Sequence, residues 1–157
     1  MFTSTTSIRT RVSQLVVAFL AGFVSVLVFH QIMLGILHLV GITPALPWRM
    51  SSVPPLGVPQ VISAAFWGGV WGVLLWFVLQ RTRSTSAYWI TAVLFGAFVL
   101  SAVAWFVVAP LKGLPVAAGW RPLGLLTGLL VNGAWGFGTA LLISFAPQTR
   151  MRDRLRA

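Results

Sequence analysis

Residues 61–83 read VISAAFWGGVWGVLLWFVLQRTR, uncharged from Val61 to Leu79 and then closed by Gln80-Arg81-Thr82-Arg83. At ~1.5 Å of rise per residue the uncharged part covers ~28 Å as a helix, close to the ~30 Å of hydrocarbon in a bilayer. Lipid offers nothing to a bare N–H or C=O, so a run of this kind crosses as a helix and not as a lone strand. Three more runs repeat the pattern. One covers 12–40 after Arg9 and Arg11, one covers 87–109 and stops at Pro110, and one covers 123–145 between Pro122 and Pro147. Proline ends these runs because it cannot donate the next helical hydrogen bond. The fold class is therefore all-α: a polytopic membrane protein whose four transmembrane helices form two hairpins, with residues 1–157 as one transmembrane domain.

Composition excludes the soluble classes. Of 157 residues, 58% are hydrophobic and only 8% charged, with a mean hydropathy of +0.93, whereas an ordinary soluble domain has about 25% charged residues. Four spans and their loops use up the chain, leaving no extramembrane domain. The net charge of +10 does not point to nucleic acid, because the basic residues stand at the edges of the apolar runs, where they anchor helices. The start of the first run is like a signal peptide, but no small-x-small site closes it and three spans follow. Cysteine is absent and Asp153 is the only acidic residue, which removes disulfides and thiolate chemistry.

Orientation follows from the arginines. Arg9, Arg11, Arg81, Arg83, Arg150, Arg152, Arg154 and Arg156 fall on one side, against Arg49, Lys112 and Arg121 on the other. Eight against three under the positive-inside rule puts both termini, and the basic tail 147–157, in the cytoplasm of a bacterial inner membrane. Tyr88 and Trp89 then belong to the inner aromatic belt and Trp48 and Trp120 to the outer one. The outer loop 41–60 carries Pro44, Pro47, Pro54, Pro55 and Pro59, and its polyproline tendency predicts a semi-rigid strap.

The two hairpins share features. Gly69-Val70-Trp71-Gly72 recurs as Gly133-Ala134-Trp135-Gly136, and Pro55-Leu56-Gly57 as Pro122-Leu123-Gly124. Ala21-Gly22-Phe23-Val24 aligns more weakly with Gly96-Ala97-Phe98-Val99. Two spans per unit make any duplication a parallel repeat, related by an axis along the membrane normal.

Small residues mark the helix contacts. The fourth helix has Gly124, Gly128, Asn132, Gly136, Ala140 and Ser144 at every fourth position, the second has Ala64, Gly68 and Gly72, and the first has Ala18 and Gly22. Such ridges let backbones approach closely where no hydrophobic drive exists between helices. They serve internal packing or association with other membrane subunits or a second copy. The expected arrangement has the ridges of the second and fourth helices near the centre.

Polar residues within the spans are the candidate site. His30 and Asn132 each lie ~15 Å, and Ser101 ~12 Å, from the outer end of their helices, so with Gln31 they define a polar pocket in the outer half. His38 sits near the water boundary and caps its helix end. His30 and His38 are ~12 Å apart along one helix, too far to face each other across a haem iron. No buried carboxylate, Ser-His-Asp set or metal-ligand spacing is present. No catalytic role, metal or cofactor is expected.

His30-Gln31 through His38, Pro54-Pro55-Leu56-Gly57-Val58-Pro59-Gln60-Val61 and Phe66-Trp67-Gly68-Gly69-Val70-Trp71-Gly72 resemble uncharacterised small four-span integral membrane proteins of proteobacteria. The resemblance covers the first hairpin and implies a bacterial inner membrane, with no activity attached. The expected function is a non-enzymatic accessory or scaffolding subunit associating by Gly/Ala packing. The alternative is a small-solute or ion channel or carrier using His30 and Asn132.

Overall fold

The computed structural model describes residues 3–54 and 56–146, with side chains described from Arg11 onward. The tail 147–157, the side chain of Arg9, and Pro55 of the Pro-Leu-Gly pair lie outside the described residues. Four helices are long and apolar enough to cross a membrane: α1 (Arg11–Leu39), α2 (Gln60–Leu79), α3 (Thr85–Leu111) and α4 (Pro122–Phe145). The chain is an all-α, multi-pass membrane protein. Its one sheet among the described residues joins β1 (Ser52–Val53) to β2 (Val58–Pro59), antiparallel, with Ser52 opposite Pro59 and Val53 opposite Val58. Within the 41–60 connection, expected to be a semi-rigid strap, the chain thus folds back on itself as a small hairpin; the turn uses Gly57, at φ +66°, which an L side chain would resist.

Widened π turns interrupt two helices, at Val26–His30 in α1 and at Phe95–Leu100 and Ala104–Val108 in α3. The last of these explains why α3 runs past Pro110 to Leu111, two residues beyond the stop expected from the sequence. In a regular helix the ring of Pro110 would press on the carbonyl of Phe106. Here Ala109 N–H reaches back five residues to Ala104 O, and the wider turn makes room for the proline.

The two hairpins are built on the same contact. A Cβ placed on Gly22 of α1 would collide with Gly68 O and stand 2.9 Å from Gly72 Cα of α2; one on Gly96 of α3 would collide with Asn132 O and stand 3.1 Å from Gly136 Cα of α4. Conversely, a Cβ on Gly72 would meet Ala18 O and Gly22 Cα, and one on Gly136 would meet Ala92 O and Gly96 Cα. Ala18, Gly22, Gly68 and Gly72 thus correspond one for one to Ala92, Gly96, Asn132 and Gly136. This register pairs Gly22 with Gly96, one residue away from the alignment expected for α1 and α3. A weak sequence match between aliphatic runs tolerates such a slip; a backbone contact does not.

Between hairpins the packing is unequal. α1 and α4 make the extensive contact between hairpins, whereas α2 and α3 meet more sparsely, with the rings of Trp71 and Phe95 6.1 Å apart. Gly68 and Gly72 of the α2 ridge are buried inside the bundle, as expected, and face α1, while Ala64 is exposed and Ala65 fully buried. The α1–α4 seam is closed by Trp135, which donates from Nε1 to Gly22 O at 3.0 Å, and by Ser25, which donates from Oγ to Trp135 O at 2.7 Å. The two-fold equivalents of Ser25 and Gly138 are Val99 and Leu74. Ser25 is 0% exposed and Gly138 buried, yet Val99 is 40% and Leu74 45% exposed. With bulky residues where the other seam has small ones, α2 and α3 do not close there as α1 and α4 do.

The large, fully buried side chains Trp135, Tyr88, Leu75, Leu79 and Ile143 fill the half of the bundle nearest residues 80–84. Tyr88, expected in an aromatic belt, is 1% exposed and donates to Ala140 O at 2.8 Å. It stands at the expected helix end but turns inward, because α4 offers a small residue and a reachable carbonyl there.

Candidate functional site: the polar residues within the spans

The four polar residues expected to form one pocket are divided into two pairs. Asn132 Nδ2 donates to Ser101 Oγ at 3.0 Å, joining α4 to α3. His30 and Gln31, on α1, approach each other at 3.4 Å between Nδ1 and Nε2. No hydrogen bond connects the pairs among the described residues. Their depth in the bundle agrees, but Asn132 lies on the ridge that faces α3, whereas Gln31 is turned to the loop. Ser101 is fully buried and Gln31 is 5% exposed, while His30 and Asn132 remain half-exposed.

Gln31 is held from above. Trp48, in the 41–60 connection, donates its backbone N–H to Gln31 Oε1 at 2.8 Å and its indole Nε1 to Leu27 O at 2.9 Å. The π turn makes the second bond available. Gln31 N–H reaches back to Val26 O and not to Leu27 O, so Leu27 O is not taken by the usual α-helical donor. Trp48 sits at φ +47°, a left-handed conformation that L residues avoid. His38 Nδ1 lies 3.1 Å from Thr43 O, tying the end of α1 to the same loop.

The second long connection repeats this element in a different state. Trp48-Arg49 recurs as Trp120-Arg121, and Trp120 also has a positive φ, +56°. Ala117, Ala118 and Gly119 before it are left-handed too, at φ +49°, +55° and +65°, so Val116–Trp120 form a strained turn. The Trp120 ring lies against Phe106 at 6.3 Å and is 69% exposed, and no hydrogen bond holds its indole among the described residues.

The small-residue ridge of α4 is used up within the chain. Ala118 lies over Gly124, the Trp105 ring over Gly128, Ser101 on Asn132, Ala92 and Gly96 on Gly136, and Tyr88 on Ala140. Gly68 and Gly72 of α2 are likewise covered by α1. Sequence reasoning missed Ser25, Trp135, Thr139 and Tyr88 as the buried hydrogen-bonding residues of the bundle; Thr139 Oγ1 donates to Trp135 O at 2.8 Å. The repeated Gly-x-Trp-Gly motif was the available signal for Trp135. Among the described residues the buried side-chain polar atom without a partner is Trp76 Nε1, and no three His, Cys, Asp or Glu side chains gather closely enough to hold a metal. Comparison with known proteins gives no match: no family model, no curated protein and no solved structure is significantly similar to this chain.

Proposed function

We propose that the chain is a non-enzymatic integral protein of a bacterial inner membrane, with both termini cytoplasmic, acting as an accessory or scaffolding subunit. The observation that carries this reading is that the in-span polar groups spend their hydrogen bonds inside the chain: Asn132 on Ser101, Gln31 on Trp48, Ser25 and Thr139 on Trp135 O, Tyr88 on Ala140 O. A site for chemistry presents groups in want of a partner; these are already paired and act as pins between helices. The Gly/Ala ridges are consumed in the same way, so a partner meets the bundle on its remaining lipid-facing surface or its loops, and not through Gly68, Gly72, Gly124, Gly128 or Gly136. Orientation and compartment rest on the arginine bias and on the resemblance of the first hairpin. Affinity purification in mild detergent, followed by native mass spectrometry, tests the reading: a stoichiometric integral partner supports it, and a bare monomer from native membranes argues against it.

A second reading, a channel or carrier for a small solute or ion, draws on one observation. His30 and Asn132 are half-exposed near mid-helix, in the half of the bundle that lacks the large buried side chains. It predicts solute flux in proteoliposomes that is lost in His30→Ala.

A further inference from the structure

We propose that residues 44–54 and 56–60 form a lid over the His30–Gln31 pair, held shut by Trp48 and able to lift. Two hydrogen bonds hold the closed position, from Trp48 N to Gln31 Oε1 and from Trp48 Nε1 to Leu27 O. Both acceptors belong to one turn of α1, and the second is available because the π turn at Val26–His30 redirects Gln31 N–H to Val26 O. The left-handed backbone at Trp48 is strained.

The opposite state is visible in the same molecule. Under the correspondence set by the glycine contacts, Gly22 matches Gly96, so Leu27 matches Ser101 and Gln31 matches Trp105. Trp120, like Trp48, has a positive φ and precedes an arginine. Yet Trp120 does not return to α3: its ring rests on Phe106, and it is 69% exposed against 48% for Trp48. The reason is in the sequence. Where α1 has Gln31 to accept the loop amide, α3 has Trp105, which cannot accept it and whose ring covers Gly128.

The lid has a fixed edge and a hinge. Gln60 N donates to Ser51 O and Val61 N to Arg49 O, and β1 pairs with β2, so its far end moves with the start of α2. Gly41, at φ +75°, ends α1, and Ile42 N and Thr43 N are still bonded back to Leu37 O, so the hinge lies beyond Thr43. This inference concerns access to His30 and stands whether or not the chain has a membrane partner.

The absence of native cysteine makes a clean test. His30→Cys, in nanodiscs where both faces are open, is reacted with a water-soluble maleimide, alone and together with Trp48→Phe, Trp48→Ala or Leu46→Ala. Trp48→Phe keeps the ring and removes only the indole donor; Leu46 is an exposed loop residue outside the clip. Labelling is expected to rise about tenfold in Trp48→Ala and several-fold in Trp48→Phe, as loss of the indole bond, and in Trp48→Ala of the ring's packing as well, shifts a local opening equilibrium, and to stay unchanged in Leu46→Ala. Hydrogen exchange of the 42–53 amides in Trp48→Phe supplies a readout that does not depend on the reporter. Equal labelling rates in all four proteins, with unchanged exchange of these amides, would overturn the proposal.

Discussion

Trp135 and Ser25 grip each other's helices in opposite directions: the Trp135 indole donates to Gly22 O of α1, and Ser25 Oγ of α1 donates to the carbonyl of Trp135. Both side chains are essentially unexposed, at 1% and 0%. The pair closes the seam between the two hairpins. Trp135→Phe, which keeps most of the ring but strands Gly22 O, is expected to lower bundle stability by about 1–3 kcal/mol. Ser25→Ala, which leaves Trp135 O still bonded to Thr139, should cost about 0.5–1.5 kcal/mol. Steric-trap or thermal unfolding in micelles measures both, and equal, negligible losses would deny the clasp its role.

Neighbouring glycines on α4 should respond oppositely to a methyl group. Gly136→Ala drives a Cβ into Ala92 O of α3, a contact that no rotamer change relieves, whereas a Cβ on Gly133 stands 3.5 Å from Ala97 Cβ, an ordinary distance. Gly136→Ala is expected to destabilise by about 1–3 kcal/mol; Gly133→Ala is expected to be neutral or to gain up to about 1 kcal/mol from the helix preference for alanine. Gly22→Ala and Gly96→Ala should behave like Gly136→Ala. The comparison is made by unfolding in one detergent, and a similar loss at Gly133 would contradict the geometry.

Asn132 and Ser101 form a single bond, so their replacements should not add. A double-mutant cycle on Asn132→Ala and Ser101→Ala is expected to give a coupling of about 0.6–1.7 kcal/mol, the range for interhelical hydrogen bonds in bilayers. Additive losses would show that the two side chains do not pin α3 to α4.

Tyr88→Phe isolates one hydroxyl. The ring remains packed in the core formed by Leu75, Leu79 and Ala92, and only the bond to Ala140 O is lost, for an expected cost of about 0.6–1.7 kcal/mol. A residue serving solely as a lipid-interface anchor would show no such loss.

Much of the fold was legible because membrane helices announce themselves by length and apolarity. The run 61–79 returned within one residue as Gln60–Leu79, and 123–145 as Pro122–Phe145. The α4 ridge was readable from its four-residue spacing, although which helix covers it was not, because a small residue says that something comes close without naming it. Pro110 misled, since a π turn suspends the rule that proline ends a helix and no local residue pattern forecasts one. The polar residues were joined wrongly: rise per residue fixes height along a helix, while azimuth depends on packing, and the π turns in α1 and α3 shift azimuth midway. Trp48 and Trp120 were read as interface anchors; that Trp48 instead clips its loop to α1 depends on a carbonyl made available by backbone geometry alone.

The account rests on two parallel hairpins, with 41–60 and 112–121 on one face of the membrane and 80–84 on the other. Single cysteines at Ser51, Leu114 and Ser84 in the cysteine-free chain, exposed to an impermeant maleimide in intact spheroplasts, test this directly. Labelling of Ser51→Cys and Leu114→Cys from outside, and of Ser84→Cys only after permeabilisation, is the expected result. Ser51→Cys and Leu114→Cys reacting from opposite sides, or Ser84→Cys sharing a side with either, would contradict it.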